Sequence, residues 1–232
     1  MLDCVLPDAC SLCHQAIRRP QQVLCTFCLA DLKRIERPCA GCALPLPATD
    51  AVRSMIWCNA CLLIRRKSSV VAPLAYDDNT RHLIHQIKFH QGYREIDLLG
   101  LEIANAARQI YHRTDQALPS LLIPVPLSKW NLAKRGYNQA SALAKAIGQQ
   151  LDIDWQPSVF RRRHGKAQRH KSRAERQRLP ANTFELQKVP TQTHLAIIDD
   201  VMTTGRTTDI LRRHLQRAGA EKVDIWCAAR VV

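Results

Sequence analysis

Residues 195–219 read LAIIDDVMTTGRTTDILRRHLQRAG, and this stretch gives the clearest indication of the fold. The apolar run at 195–198 has the length and composition of a fully buried strand. Two carboxylates, Asp199 and Asp200, follow it directly, and a Thr- and Gly-rich segment comes next. Apolar residues then recur at helical spacing until Gly219, which stands where a helix C-cap is expected. The stretch predicts a strand, a loop and a helix of an α/β fold.

The loop between this strand and helix has the composition of a site for a phosphorylated sugar. Ligands of open α/β sheets bind beyond the carboxyl ends of the strands, and a helix N-terminus offers free N–H groups to a phosphate. Threonine hydroxyls add donors, and Gly205 lets the backbone approach closely. Asp199 and Asp200 can accept hydrogen bonds from sugar hydroxyls and hold Mg²⁺ through water. A plainer interpretation, a strand ending in solvated acids before a Thr-capped helix, fits the same residues.

The segment 199–207, DDVMTTGRT, resembles the motif by which type I phosphoribosyltransferases bind 5-phosphoribosyl 1-diphosphate (PRPP). The resemblance implies that the acid pair holds the ribose hydroxyls and that the loop cradles the 5′-phosphate. It also implies Mg²⁺ as the cofactor that accompanies PRPP. The implied PRPP-binding residues are Asp199, Asp200, Thr203, Thr204, Gly205 and Thr207.

Cysteines are concentrated at the start of the chain. Nine of the ten lie in the first 61 residues, and eight of them form four C-x-x-C pairs. The spacing gives each half the ligand set of a zinc ribbon, so we expect two structural Zn²⁺ ions with sequential pairing. The predicted ligands are Cys10, Cys13, Cys25, Cys28, Cys39, Cys42, Cys58 and Cys61. Cross-braced pairing and an iron–sulfur cluster stay open, and Cys4 and Cys227 receive no role.

Length and charge narrow the class of protein. The chain has 232 residues, of which 46% are hydrophobic, enough for one ordinary domain and a small one. No apolar run has the length of a membrane span and the first residues do not form a signal peptide, so we expect no membrane insertion and a cytoplasmic location. The net charge is +14, and residues 161–190 alone contribute +8. Anionic partners, diphosphate or nucleic acid, are therefore expected there first.

Hydrophobic periodicity predicts several further elements. They are a strand at 70–76, helices at 80–89 and 102–111, a strand at 121–123 and a helix at 140–151. Pro124 and Pro126 argue against an uninterrupted central strand past Ile123. The polar, basic residues 65–69 have the composition of a linker.

The most basic segment is 161–178, with nine Lys or Arg residues and one acid. Such a run is usually solvated and mobile, and this one lacks the aromatic side chains of a base-stacking surface. Type I phosphoribosyltransferases have a flexible loop in this region. The resemblance therefore implies that a loop at about 161–180 closes over PRPP and brings cations to the leaving diphosphate.

Further motifs make the chain resemble one family, ComF/GntX. They are the tandem C-x-x-C module, Lys88-Phe89, IPVPL at 123–127, RGYNQ at 135–139, Gln168, Arg176, Arg178, Asn182, Phe184 and the PRPP motif. The resemblance implies a type I phosphoribosyltransferase-like fold: a twisted, mainly parallel sheet flanked by helices and preceded by a small double zinc ribbon. We place the zinc-ribbon module at 1–68 and the phosphoribosyltransferase-like domain at 69–232. The candidate catalytic residues are Lys88, Arg135, Gln168, Arg176 and Arg178.

Two functions from different classes fit these features. In the first, an enzyme transfers the phosphoribosyl group of PRPP to an acceptor that the sequence does not identify. In the second, the fold is retained by a non-catalytic factor that binds single-stranded DNA or proteins of the competence machinery. The second follows from the association of the ComF family with natural competence and DNA uptake. The intact acid pair and Thr/Gly loop favour retained binding of PRPP or a related phosphorylated ribose.

Overall fold

In the computed structural model, strands are interspersed with helices from residue 70 onward. The structure describes residues 9–17, 22–47, 56–64, 68–163 and 180–232. Two short helices lie in the cysteine-rich part, α1 (Thr26–Ala30) and α2 (Asn59–Leu63). The later elements are β1 (Val70–Val71), β2 (Leu74–Ala75), α3 (Asp78–Phe89), α4 (Tyr93–Arg113), β3 (Leu121–Pro124), α5 (Lys129–Arg135), α6 (Gln139–Leu151), β4 (Asp154–Trp155), β5 (Phe160–Arg162), β6 (Phe184–Leu186), β7 (His194–Met202), α7 (Arg206–Arg217) and β8 (Lys222–Arg230).

The sheet is parallel, in the order β1-β8-β7-β3-β4, and β2 also pairs with β8. Strands β7 and β8 form its longest pairing, from His194 opposite Lys222 to Met202 opposite Arg230. Strands β5 and β6 form a separate antiparallel hairpin. The prediction of a mainly parallel sheet flanked by helices is confirmed.

Residues of β7 show why both faces of the sheet are covered. Ala196 and Ile198 belong to the apolar cluster that contains α3, α4 and α6. Leu195 and Ile197 belong to the cluster formed with α7 and the hairpin. Successive side chains of a strand point to opposite faces, so an unbroken apolar run predicts a strand that is buried on both sides.

Helix α4 is twice as long as the sequence predicted, because its first half carries polar residues that hide the periodicity. Glu95 is buried and accepts a hydrogen bond from the Ser11 hydroxyl, and Arg94 donates to the carbonyl of Gln22. These long-range contacts satisfy polar groups that would otherwise argue against a packed helix. Helix α4 then crosses α6 closely, because a Cβ at Gly100 would lie 2.8 Å from a side-chain carbon of α6.

Prolines had two different effects on the predicted strands. The strand predicted at 70–76 is divided into β1 and β2, because Pro73 has no N–H to donate. The expectation that β3 ends at residue 123 is wrong by one residue. Pro124 still pairs with Ile198, and the N–H of Val125 donates to the Ile198 carbonyl at 2.9 Å.

The cysteine-rich part packs directly on the main core. Several of its apolar residues are buried in the same cluster as α3, α4 and α6: Cys10, Ile17, Val23, Leu24, Leu32 and Ala40. At the end of the predicted linker, Ser69 is buried and its N–H donates to the carboxylate of Asp224. The division of the chain at residue 68 stays a prediction. None of the helices in the described ranges has the length and hydropathy needed to cross a bilayer.

Candidate functional site

A cavity of about 410 Å³ lies at the carboxyl end of β7. Asp199 and residues 201–208 line it, so the strand end, the Thr/Gly loop and the first turn of α7 share one space. The volume falls within the range typical of small-ligand sites. This position, beyond the carboxyl end of a central parallel strand, is where ligands of open α/β sheets bind.

Gly205 forms the turn between the loop and α7. It is the N-cap residue of the helix and has a φ of +73°, a conformation that favours glycine. A Cβ at this position would lie 2.6 Å from Cε of Met202. The Thr208 hydroxyl donates to the Gly205 carbonyl at 2.9 Å, which fixes the first turn. The unpaired N–H groups of a helix of 12 residues therefore face this end of the cavity.

The two carboxylates at the end of β7 have different surroundings. Oδ1 of Asp199 accepts the N–H of Asp200, and Oδ1 of Asp200 accepts the N–H of Val201, both at 2.9 Å. The other oxygen of Asp200 lies 2.6 Å from Nζ of Lys88, at the end of α3. Asp199 lines the cavity, whereas Asp200 is not among its lining residues.

Charge is incompletely balanced at this acid pair. Burial, and next to it the carboxylate of Asp200, raise the pKa of Asp199 well above its usual range. Among the described residues, Lys88 is the cation paired with these two acids. A half-buried and a buried carboxylate beside one lysine offer the oxygen ligands that suit a hard cation such as Mg²⁺.

The region after β3 contacts the end of α3 through a cationic and an aromatic side chain. The guanidinium of Arg135 lies 5.1 Å from the ring centroid of Phe89. The Tyr137 hydroxyl donates to the Ile87 carbonyl, which ties this loop to the end of α3 beside Lys88. Burial raises the pKa of Tyr137, so its hydroxyl remains a donor at neutral pH.

The structure brings some of the candidate residues together and leaves others undescribed. Lys88 lies at the acid pair, and Arg135 lies against the ring beside it. Gln168, Arg176 and Arg178 lie outside the described residues, as does most of the basic loop. At its described start, Arg161 and Arg163 pair with Glu185 of β6 at 2.9 and 3.2 Å.

The eight predicted metal ligands form two groups of four thiols. Cys10, Cys13, Cys25 and Cys28 form one group, and Cys39, Cys42, Cys58 and Cys61 form the other. All sulfurs of a group lie within 4.8 Å of one another, and those of Cys13 and Cys25, and of Cys42 and Cys58, are 3.7 Å apart. A tetrahedral zinc ion with bonds of about 2.3 Å separates its sulfurs by about 3.8 Å. The grouping is sequential, and its geometry fits zinc.

Backbone N–H groups help to stabilise thiolates in both groups. The N–H of Cys25 lies 3.4 Å from Sγ of Cys10, and the N–H of Cys58 lies 3.2 Å from Sγ of Cys39. Burial opposes ionisation of Cys10, but the backbone N–H groups of Cys13, Cys25 and Leu12 lower its pKa to about 6. A hydrogen bond from the Cys42 thiol, aided by N–H donors, lowers the pKa of Cys39 to about 4. Thiolates are the form that binds zinc.

Sequence reasoning missed Arg230, which lies next to the loop. It is the last residue of β8, and its side chain donates to the carbonyls of Met202 and Thr203. A single arginine near the chain end carries no sequence signal. Only the pairing of Met202 with Arg230 across β7 and β8 places it there.

Comparisons with curated proteins give relatives over nearly the whole chain. DNA utilization protein YhgH of Shigella flexneri is 30% identical over 233 residues, covering 98% of this chain and 99% of the relative. Competence protein F of Haemophilus influenzae is 27% identical and covers 95% and 90%. Competence protein ComFC of Streptococcus pneumoniae is 24% identical and covers 92% and 90%. No family model matches the chain.

This chain belongs to the ComF family. Among solved structures, a purine phosphoribosyltransferase from Pyrococcus horikoshii is similar over 58% of this chain and 72% of its own. The TM-score is 0.35 and the identity is 17%. The parallel sheet, the adjacent hairpin and the acid pair before a Thr/Gly loop agree with the phosphoribosyltransferase-like fold that the sequence resemblance implies.

Proposed function

We propose that this protein binds PRPP together with Mg²⁺ in the cavity at the carboxyl end of β7. The observation that carries the proposal is that one cavity is lined both by a strand carboxylate and by the hydroxyl-rich N-terminus of α7. A helix N-terminus favours a phosphate, and a carboxylate favours sugar hydroxyls or a cation. One phosphorylated sugar satisfies both ends of such a cavity.

Separate groups serve the separate parts of the ligand. The first N–H groups of α7 and the hydroxyls of Thr203, Thr204 and Thr207 bind the 5′-phosphate. Asp199 lines the cavity and accepts a hydrogen bond from the ribose. Asp200, which follows it and pairs with Lys88, is the second predicted acceptor for the ribose hydroxyls. Mg²⁺, when bound, neutralises charge on the diphosphate.

Transfer of the phosphoribosyl group is a further step of the same proposal. A new bond from an acceptor to C1 of the ribose forms while the bond from C1 to the diphosphate oxygen breaks. The diphosphate then leaves with its negative charge stabilised by nearby cations. Lys88 and Arg135 are the described candidates for this role, and Gln168, Arg176 and Arg178 remain predictions. The acceptor stays open.

Isothermal titration of the wild type with PRPP and Mg²⁺ tests the proposal, with Gly205→Val as the loop variant. A valine Cβ at Gly205 meets Cε of Met202 at 2.6 Å and also requires a strained φ. Gly219→Val is the matched control, because Gly219 ends the same helix with a φ of +105° but has nothing within 4 Å of its Cβ position.

We expect PRPP to bind the wild type and the Gly219→Val control, and to bind Gly205→Val at least tenfold more weakly, the equivalent of about 1.4 kcal/mol. Ribose 5-phosphate should show the same order of affinities. The proposal is wrong if the wild type binds neither ligand, or if folded Gly205→Val binds both as tightly as the control does.

A second candidate function, binding of single-stranded DNA, is supported by an exposed aromatic surface near the cavity. Trp130 is 68% exposed and Phe89 is 48% exposed. Nζ of Lys134 lies 5.5 Å from the Trp130 ring centroid, and Arg135 stacks on Phe89. Aromatic rings beside cations bind unpaired bases and their phosphates. The names of the relatives, which refer to competence and DNA utilization, point to the same class of ligand.

Trp130→Ala tests this surface, and Trp155→Ala on the edge strand β4 is its control. Stacking contributes about 1–3 kcal/mol per base, so Trp130→Ala should weaken binding of an oligothymidylate at constant salt. Replacing Arg161, Arg162, Arg163 and Lys166 by Ala should instead flatten the dependence of binding on salt, because fewer counterions are released. Equal affinity and equal salt dependence in all of these proteins would exclude both segments as a DNA site.

We also propose that each Cys4 group holds a structural zinc ion, as its geometry fits. Reduced thiolates of this kind persist in a reducing compartment such as the cytoplasm. Metal analysis of protein purified without chelators should find about two zinc ions per chain. A value near zero, with residues 9–64 still resistant to protease, would contradict this assignment.

A further inference from the structure

The side chain of Arg230 joins two parts of the molecule that are far apart in sequence. Its Nη1 donates to the carbonyl of Met202 at 3.0 Å and also to the carbonyl of Thr203. Its Nε donates to the carbonyl of Cys42 at 3.3 Å. One guanidinium therefore connects the start of the Thr/Gly loop with a cysteine of the second Cys4 group.

A second, apolar contact links the same two parts. Ala43, the residue after Cys42, has a φ of 58° and is fully buried. It packs in a cluster that includes Met202. Met202 in turn lies directly under the loop, because its Cε occupies the space next to Gly205. The segment that follows Cys42 in the second Cys4 group thus packs against Met202, a residue that lines the cavity.

The hydrogen bonds of Arg230 also help to orient the loop, together with the N–H of Val231, which donates to the Met202 carbonyl at 3.1 Å. The carbonyls of Met202 and Thr203 face the guanidinium. A trans peptide directs its N–H opposite to its carbonyl, so the N–H groups of Thr203 and Thr204 point away from Arg230. Thr203 and Thr204 line the cavity, whereas Arg230 does not.

We infer that Arg230 is a positioning residue for the phosphate-binding loop, and that it anchors this loop to the second Cys4 group. The ligand side of the inference rests on the proposed PRPP function, but the coupling between the loop and the Cys4 group does not. The first Cys4 group is not connected to the loop in this way, because its described contacts lead to α4 through Ser11 and Glu95. Loosening the anchor should therefore affect one Cys4 group and the loop together.

Hydrogen exchange and ligand titration of full-length, zinc-loaded protein test the inference with the variants Arg230→Gln and Arg230→Lys. Arg34→Gln is the matched control, because the Arg34 side chain also joins the cysteine-rich part to α4, but its hydrogen bonds go to Glu102 and the Leu29 carbonyl rather than to the loop. Arg230→Gln should speed amide exchange in peptides covering 201–209 and 39–46, and leave peptides covering 10–30 unchanged. Arg34→Gln should leave the loop peptides unchanged.

In the ligand measurement, ribose 5-phosphate is compared with Mg²⁺–diphosphate, which has no 5′-phosphate. Arg230→Gln should bind ribose 5-phosphate about tenfold more weakly and bind diphosphate as the wild type does. Arg230→Lys keeps a charged donor but cannot reach the carbonyls of Cys42, Met202 and Thr203 at once, so it should restore part of the affinity. General destabilisation would weaken both ligands alike and would not be relieved by lysine.

The outcomes separate the two claims. Unchanged exchange in the loop of Arg230→Gln overturns the inference, as does equal weakening of both ligands. If the wild type binds neither ligand while Arg230→Gln still loosens the loop, the proposed PRPP function is wrong and the coupling stands. If ribose 5-phosphate binds the wild type and Arg230→Gln equally, the function stands and the positioning role is wrong.

Discussion

Carboxylates lie at opposite ends of the same sheet. Asp199 and Asp200 stand at the carboxyl end of β7, and Asp224 stands near the amino end of β8. Asp200 and Asp224 are buried, and Asp199 is half-buried. The carboxylates at the two ends differ in how completely the protein balances their charge, and this difference distinguishes a ligand site from a structural one.

Asp224 is surrounded by donors. It accepts hydrogen bonds from the N–H of Ser69 and the hydroxyl of Tyr111, each at 2.5 Å. Nε2 of His194 lies 2.6 Å away and Nζ of Lys222 lies 3.3 Å away. Burial and the negative charge of Asp224 raise the pKa of Tyr111, so that hydroxyl stays a donor. Nothing further is needed to stabilise this carboxylate, and it ties the end of the predicted linker to the sheet.

The acid pair of β7 has fewer donors and cations around it. Each Asp has one oxygen satisfied by a neighbouring N–H, and Lys88 is the cation paired with them among the described residues. Burial, with the carboxylate of Asp200 beside it, raises the pKa of Asp199. A carboxylate kept in an unfavourable state by the folded protein is poised for a cation or a hydroxyl-bearing ligand.

The largest expected effect comes from removing the balanced carboxylate. Asp224→Ala leaves the Tyr111 hydroxyl, the Ser69 N–H and the His194 ring without their acceptor. Breaking a buried, paired charge usually costs about 3–5 kcal/mol in the free energy of unfolding. Urea unfolding measures this loss. Asp154→Ala, an exposed acid on β4 of the same sheet, is the control and should change stability by less than about 0.5 kcal/mol. Similar losses in the two variants would contradict a structural role for Asp224.

A smaller effect, of a different kind, is expected at the unbalanced pair. Asp200→Asn removes one of two adjacent acids together with the ion pair to Lys88, and it should lower the free energy of unfolding by less than Asp224→Ala does. Its affinity for PRPP with Mg²⁺ should fall, by about 1.5–3 kcal/mol for each lost hydrogen bond to a charged group. Titration calorimetry at constant Mg²⁺ measures the affinity. Loss of stability without loss of affinity would reverse the comparison.

The smallest effect concerns pH. Because the pKa of Asp199 is raised above its usual value of 3.8, the folded protein holds a proton that the unfolded chain has released. The free energy of unfolding therefore falls as pH rises from about 3.8 toward the raised pKa, because the folded protein must then release this proton. Asp199→Asn has no such proton to lose, so its stability relative to the wild type should increase with pH. Urea unfolding in the absence of ligand at pH 5, 6, 7 and 8 measures this margin. A margin that is constant or shrinks with pH would contradict the account.

Local signals were enough to predict the strand, loop and helix at the carboxyl end of β7. An apolar run, two acids, a glycine at a positive φ and an amphipathic helix follow one another within 25 residues, so each element specifies the next. The Cys4 groups were predictable for the same reason, because ligand spacing is a local property. Periodicity also located α3, α6 and α7 within a few residues.

The hydrogen bonds that hold the site in place were not predictable, because they join residues far apart in the chain. Arg230 contacts the carbonyl of Cys42 across 188 residues, and Ser69 contacts Asp224 across 155. The first half of α4 was missed because its buried polar residue, Glu95, is satisfied by Ser11 of the cysteine-rich part. Hydrophobic patterns describe which face of an element is buried, but not which distant polar group satisfies it.

A crystal structure of the protein with Mg²⁺ and PRPP is the strongest test of the proposed PRPP site at the carboxyl end of β7. We expect the 5′-phosphate within hydrogen-bonding distance of the N–H groups of residues 203–207, with the ribose beside Asp199 and no ligand near Asp224. PRPP bound elsewhere, for example beside Lys33 and Arg37 in the cleft under the cysteine-rich part, would contradict it, as would crystals in which the β7 cavity stays empty at saturating PRPP.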